Sequence, residues 1–180
     1  LTGTTGADTL SGGGLGDTID GLNGDDVING NDGADTLIGG AGNDQIDGGA
    51  GDDTLLGGGD DDTLIASAGN DTLNAGDDDD VVDYSNASGP ISGTASGRDV
   101  IMTGYGTDTL IDVETIIGSG YDDSIVASLD VNELQGGAGD DTLTASATAT
   151  DLYGQAGADS LTGGVGNDLL DGGAGNDVLN

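Results

Sequence analysis

The chain has no cysteine, no histidine, no tryptophan, no phenylalanine, one proline and a single basic residue, Arg98. Each absence removes a class of function. Without cysteine or histidine there is no zinc, haem or iron–sulfur site of the usual kinds, no disulfide, and no thiol or imidazole catalysis. One arginine cannot neutralise a phosphate backbone, so nucleic acid is excluded as a partner. No apolar run approaches the roughly 18 residues of a membrane span, and no charged-then-apolar signal segment opens the sequence. Against these absences stand 39 glycines and 35 acidic residues in 180, for a formal net charge of −34. The length suits one domain. Aromatics make up 2% of the residues, so large apolar groups are scarce, and repulsion among the carboxylates opposes compaction. An ordered fold therefore requires cations or a repeat.

A repeat is present. From Gly3 the first half aligns in nine rows of nine residues without a gap, among them GGAGNDQID and GGAGDDTLL. Position six is aspartate in every row: Asp8, Asp17, Asp26, Asp35, Asp44, Asp53, Asp62, Asp71 and Asp80. Position eight is always aliphatic, from Leu10 and Ile19 to Val82. A second block of seven rows starts at Gly118, with Asp123, Asp141, Asp159, Asp168 and Asp177 at position six. Asn132 and Thr150 hold that position in its other two rows. Between the blocks, residues 103–111 make one more row with Asp108 and Leu110 in place, and 112–117 resemble a shortened row around Ile116. Only 84–102 lack the motif.

Residue types give each row a shape. Positions one to six, rich in Gly, Asn and Asp, form a turn that visits positive φ. Positions seven to nine form a three-residue strand whose central aliphatic side chain points inward. Such a strand is stable only in a stack. Two rows per coil then give two parallel sheets facing each other across a thin aliphatic seam. The expected organisation is a first block over 1–83, largely metal-free coils over 84–117, and a second block over 118–180 that continues the first.

The rows GGAGNDQID, GGAGDDTLL, GGVGNDLLD and GGAGNDVLN are near-perfect copies of G-G-x-G-x-D-x-U-x, and the chain resembles the repeats-in-toxin (RTX) family over ~160 residues. The resemblance implies an all-β fold, a right-handed parallel β-roll (a β-solenoid), with calcium held between turns two rows apart. Position-six aspartates would supply carboxylate oxygens, and turn carbonyls the rest. Calcium suits such a site: it takes six to eight oxygens at about 2.3–2.6 Å, whereas magnesium prefers an octahedron and keeps its waters. Stacked carboxylates at the roughly 4.8 Å strand spacing also need counter-ions. The candidate ligands are the nine aspartates of the first block, Asp108, and Asp123, Asp141, Asp159, Asp168 and Asp177. Together they imply about ten Ca2+ ions, with sites that depend on Asn132 or Thr150 empty or weak.

The remaining features carry less. The acidic runs Asp60–Asp62 and Asp77–Asp80 read first as solvated charge, and their place on repeated turns argues against a glycosidase pair. Leu15, Asp60 and Asp78 replace the glycine at position four, leaving their turns' conformation open. Thr18, Thr36, Thr54 and Thr72 form an outward ladder like the ice-binding faces of some solenoids, but position nine beside them is irregular and threonine favours exposed strands. Tyr84, Tyr105, Tyr121 and Tyr153 are read as packing at defects in the roll. No partner is assigned to Arg98.

The resulting expectation is a non-enzymatic, calcium-binding segment of a bacterial secreted or cell-surface protein, exported through a type I machine and folded by extracellular calcium. A structural role of the surface-layer or adhesin kind is preferred, with neighbouring copies or a cell-surface glycan as partners. The alternative is a folding, secretion or substrate-binding module of a secreted protease, lipase or alginate epimerase.

Overall fold

The computed structural model describes all 180 residues and contains strands and turns but no helix. The strands of the first block are β1 (Thr9–Ser11), β2 (Thr18–Asn23), β3 (Val27–Asn29), β4 (Thr36–Ala41), β5 (Gln45–Asp47), β6 (Thr54–Gly59), β7 (Thr63–Ile65), β8 (Thr72–Asp77) and β9 (Val81–Asp83). The middle holds β10 (Ser92–Ser96), β11 (Asp99–Thr103), β12 (Thr107–Ile111) and β13 (Thr115–Ile117). The second block holds β14 (Ser124–Val126), β15 (Glu133–Ala138), β16 (Thr142–Thr144), β17 (Asp151–Ala156), β18 (Ser160–Thr162), β19 (Leu170–Asp171) and β20 (Val178–Leu179).

Alternate strands fall in alternate sheets, as two rows per coil require. One sheet runs β1-β3-β5-β7-β9-β13-β15-β17-β19, and the other β2-β4-β6-β8-β12-β11-β10-β14-β16-β18-β20. Position-eight residues stack in register: Leu10, Ile28, Ile46, Leu64, Val82, Ile116, Leu134, Leu152 and Leu170 on one side. On the other, Ile19, Leu37, Leu55, Leu73 and Leu110 do the same. Most of these side chains are wholly buried, and together they form one core cluster. The seam is one residue thick from each sheet, so burial of apolar surface at about 25 cal/mol per Å2 gives less than in an ordinary domain.

Two features depart from the row-by-row expectation. Strands of one sheet in each block are six residues long, because the first three positions of the next row continue the pairing (Gly40 with Leu22 and Gly58, for example). The second departure is β10–β11, a hairpin turning at Gly97 (φ +75°) and inserted between β12, which β11 meets antiparallel, and β14, which β10 meets in parallel. It accounts for the two-strand difference between the sheets. Its inward residues Val100 and Met102 join the core, together with Tyr84, Ala87 and Ile91 from the preceding segment. The threonine ladder is in register and gains Thr109, while the neighbouring column reads Asp20, Ile38, Leu56, Asn74 and Ile111.

Candidate metal-binding turns

The glycines of a row have separate causes. Positions two and four take left-handed φ, as at Gly49 (+92°) and Gly51 (+138°). Asp60 (+74°) and Asp78 (+83°) adopt the same conformation at position four without being glycine, whereas Leu15 does not. Position one is different: it lacks positive φ, and where it is glycine rather than alanine (Ala66 and Ala75 precede Asp71 and Asp80) the missing Cβ leaves space. A Cβ on Gly12 would stand 2.8 Å from Asp17 Oδ2 and 2.6 Å from the Gly30 carbonyl oxygen. The same pair of oxygens, the row's own aspartate and the carbonyl 18 residues on, crowds Gly21, Gly30, Gly39, Gly118 and Gly136. A methyl group would fill the cradle between them.

The position-six aspartates form ladders along both edges of the stack. Each backbone N–H donates to Oδ1 of the aspartate one coil later: Asp8 to Asp26 (2.7 Å), Asp26 to Asp44 (2.7 Å), Asp44 to Asp62 (2.8 Å) and Asp62 to Asp80 (2.7 Å). The opposite edge runs Asp17, Asp35, Asp53, Asp71 and Asp108 with donor–acceptor distances of 2.6, 2.8, 2.8 and 3.0 Å. In the second block Asp123, Asp141, Asp159 and Asp177 continue the pattern. The ladder fixes one oxygen of each carboxylate and aims the other into the turn.

That second oxygen decides what the turns can hold. Oδ2 of Asp26, Asp35, Asp44, Asp53, Asp62, Asp80, Asp141 and Asp159 is buried with no hydrogen-bond partner. A buried carboxylate oxygen without a donor is unfavourable, and eight in register call for a positive charge. Burial lifts the carboxyls of Asp62, Asp71 and Asp141 from the ordinary 3.8 to about 7, and that of Asp80 to about 6. Neighbouring carboxylates push the same way, against the backbone N–H donors. No three acidic side chains converge anywhere. A cation in a turn would therefore draw most of its oxygens from the carbonyls that the cradles expose, a donor set that suits hard, oxygen-seeking calcium.

Of the other candidate aspartates, Asp8, Asp17, Asp71, Asp108 and Asp123 have partners for their second oxygen, whereas Asp168 and Asp177 are bonded through the first. Asp8 Oδ2 accepts from the N–H (2.6 Å) and hydroxyl (2.9 Å) of Thr4, and Asp17 Oδ2 from the Gly13 N–H (2.7 Å). Asp71 Oδ2 is 3.5 Å from the Ser67 hydroxyl. Asp108 Oδ2 accepts from the Tyr84 hydroxyl at 2.8 Å, and Asp123 Oδ2 from the Ser119 N–H at 2.6 Å. Asp168 Oδ1 accepts from the Thr150 N–H at 3.0 Å, and Asp177 Oδ1 from Asp159 at the same distance. Thr150 turns its hydroxyl to the carbonyls of Thr148 (3.3 Å) and Val131 (3.4 Å). Both second-block rows without a position-six aspartate begin with alanine, Ala127 and Ala145, so the cradle methyl and the missing carboxylate coincide. Glu114, in the shortened row, accepts from the Asp80 N–H with its Oε2 at 3.0 Å and so extends that ladder by one level, the edge-capping place its row suggested.

A family model described as RTX calcium-binding nonapeptide repeat (4 copies) matches residues 2–37, 11–46, 29–64, 56–86, 112–143 and 144–179. The chain belongs to this family. The RTX matches together span 2–86 and 112–179, the two regions of repeated turns, and leave out the hairpin and its approaches. RTX repeats bind calcium, which agrees with the donor set of the turns. No curated protein matches the sequence significantly.

Proposed function

We propose that this chain is a calcium-driven structural segment of a secreted or cell-surface bacterial protein, in which position-six aspartates are the carboxylate ligands. The observation that carries this reading is the row of buried Oδ2 atoms without donors, from Asp26 to Asp80 and at Asp141 and Asp159. At low cytosolic calcium, repulsion within a net charge of −34 keeps the wings of the roll open, a form suited to type I export. Outside the cell the cation neutralises the edges, and its binding free energy becomes folding free energy. Each ion present at a hundred times its Kd contributes about 2.7 kcal/mol, so a few ions match the roughly 5–15 kcal/mol that stabilises a typical fold. A scaffold role, as in a surface layer or adhesin, follows from a molecule whose repeated feature is a metal-bound turn. The test is far-UV circular dichroism against free calcium, with bound metal counted by equilibrium dialysis. Strand signal should rise cooperatively as several ions bind per chain. Wings that remain folded in chelator would sink the proposal.

A further inference from the structure

The middle of the roll treats the same carboxylates differently. Asp108 continues the ladder by accepting the Asp71 N–H, but its Oδ2 meets the hydroxyl of Tyr84, which is 1% exposed, at 2.8 Å. Asp123 is fully occupied: Oδ1 accepts from the Ser119 hydroxyl (2.7 Å) and the Ile91 N–H (2.8 Å), and Oδ2 from the Ser119 N–H (2.6 Å). Nearby, Arg98 reaches Asp130 at 3.1 Å, placing the chain's one basic side chain at this level. A hydroxyl donated to a buried carboxylate satisfies the oxygen that would otherwise require a cation, and calcium could enter only by breaking that bond. The same stretch is where the hairpin adds Val100 and Met102 to the core beside Tyr84. Here the core gains large side chains that the nine-residue rows do not supply.

We infer that the junction closes without calcium: the Tyr84 hydroxyl at Asp108, and the N–H and hydroxyl of Ser119 at Asp123, take the cation's place, and this segment persists as a folded seed on which the calcium-dependent wings stack. The inference rests on the calcium reading above and removes Asp108 and Asp123 from the ligands. Its test is amide hydrogen exchange on the whole chain in chelator and then in calcium. In chelator the amides of Tyr84, Asp71 and Thr109, bonded to Ile117, Asp108 and Asp71, should exchange at least tenfold more slowly than those of Asp26, Asp44 and Asp141. Calcium should bring the wings level with them. Tyr84→Phe keeps the ring, removes the donor and should abolish the difference in chelator. On the calcium-saturated chain, Asp108→Asn should leave the number of bound ions unchanged, whereas Asp44→Asn lowers it. Junction amides that exchange as fast as the wings in chelator, or an ion lost from Asp108→Asn, would overturn the inference while leaving the calcium reading intact. Uniform protection in chelator would overturn both.

Discussion

Asp44 and Asp108 occupy the same position of the same nine-residue pattern, and each accepts a backbone N–H from the coil before it. They differ in the second oxygen, which is buried and bare in Asp44 but held by Tyr84 in Asp108. On the proposed reading, one position therefore has two solutions to the same electrostatic problem, an external cation in the wings and an internal hydroxyl at the junction. A repeat motif locates the carboxylate; what faces it decides whether metal is needed.

The sharpest way to break this contrast is to replace calcium by protons. Burial raises the wing carboxyls Asp62 and Asp141 to about 7 in the metal-free fold, above the ordinary 3.8. The folded state thus binds protons that the unfolded chain releases, so metal-free stability rises as pH falls from about 7 and is complete below about 4. In chelator, wing strand signal in circular dichroism should grow over that range, with the junction changing less. With calcium present the sign reverses, because protons compete for the ligands.

Asp44→Ala should come next in size. It removes an acceptor from the Asp26 N–H and a wing carboxylate, and denaturant unfolding in calcium should show a loss of about 3–5 kcal/mol, the scale for breaking a buried charge pair. A smaller effect separates space from conformation. Gly39→Ala inserts a methyl against Asp44 Oδ2 and the Gly57 carbonyl, and should cost about 1–3 kcal/mol with weaker calcium binding. Gly59→Ala, where no atom lies within 4 Å, should stay within about 0.5 kcal/mol of the parent. Arg98→Ala should be comparably small. Arg98 is 73% exposed, and its loss should cost about 0–1 kcal/mol in the same unfolding measurement.

Much of this molecule was legible because a strict period places residues without any knowledge of contacts. The two stacks of position-eight aliphatics and the placing of aspartate six in the turns follow from counting in nines. The six-residue strands were not legible, since their second halves are rich in glycine and small residues with little strand preference, wholly so in Gly39–Ala41 and Gly57–Gly59. Nor was the antiparallel hairpin, although Val100 and Met102 alternate inward after a left-handed Gly97. The partnership of Tyr84 with Asp108 spans 24 residues and crosses the one stretch without the period. It is a tertiary fact, and spacing could not reveal it. Neither could spacing give Arg98 its place beside Asp130.

The aspartate ladder also gives the stack a direction. Asp8 bonds to Asp26, Asp26 to Asp44 and Asp44 to Asp62, always forward along the chain. A coil docking on the amino-terminal side of a finished stack finds its acceptor already in place, while one docking on the carboxy-terminal side must bring its own. The two wings that stack on the junction therefore add their coils by unlike steps, one bringing donors and the other carboxylates.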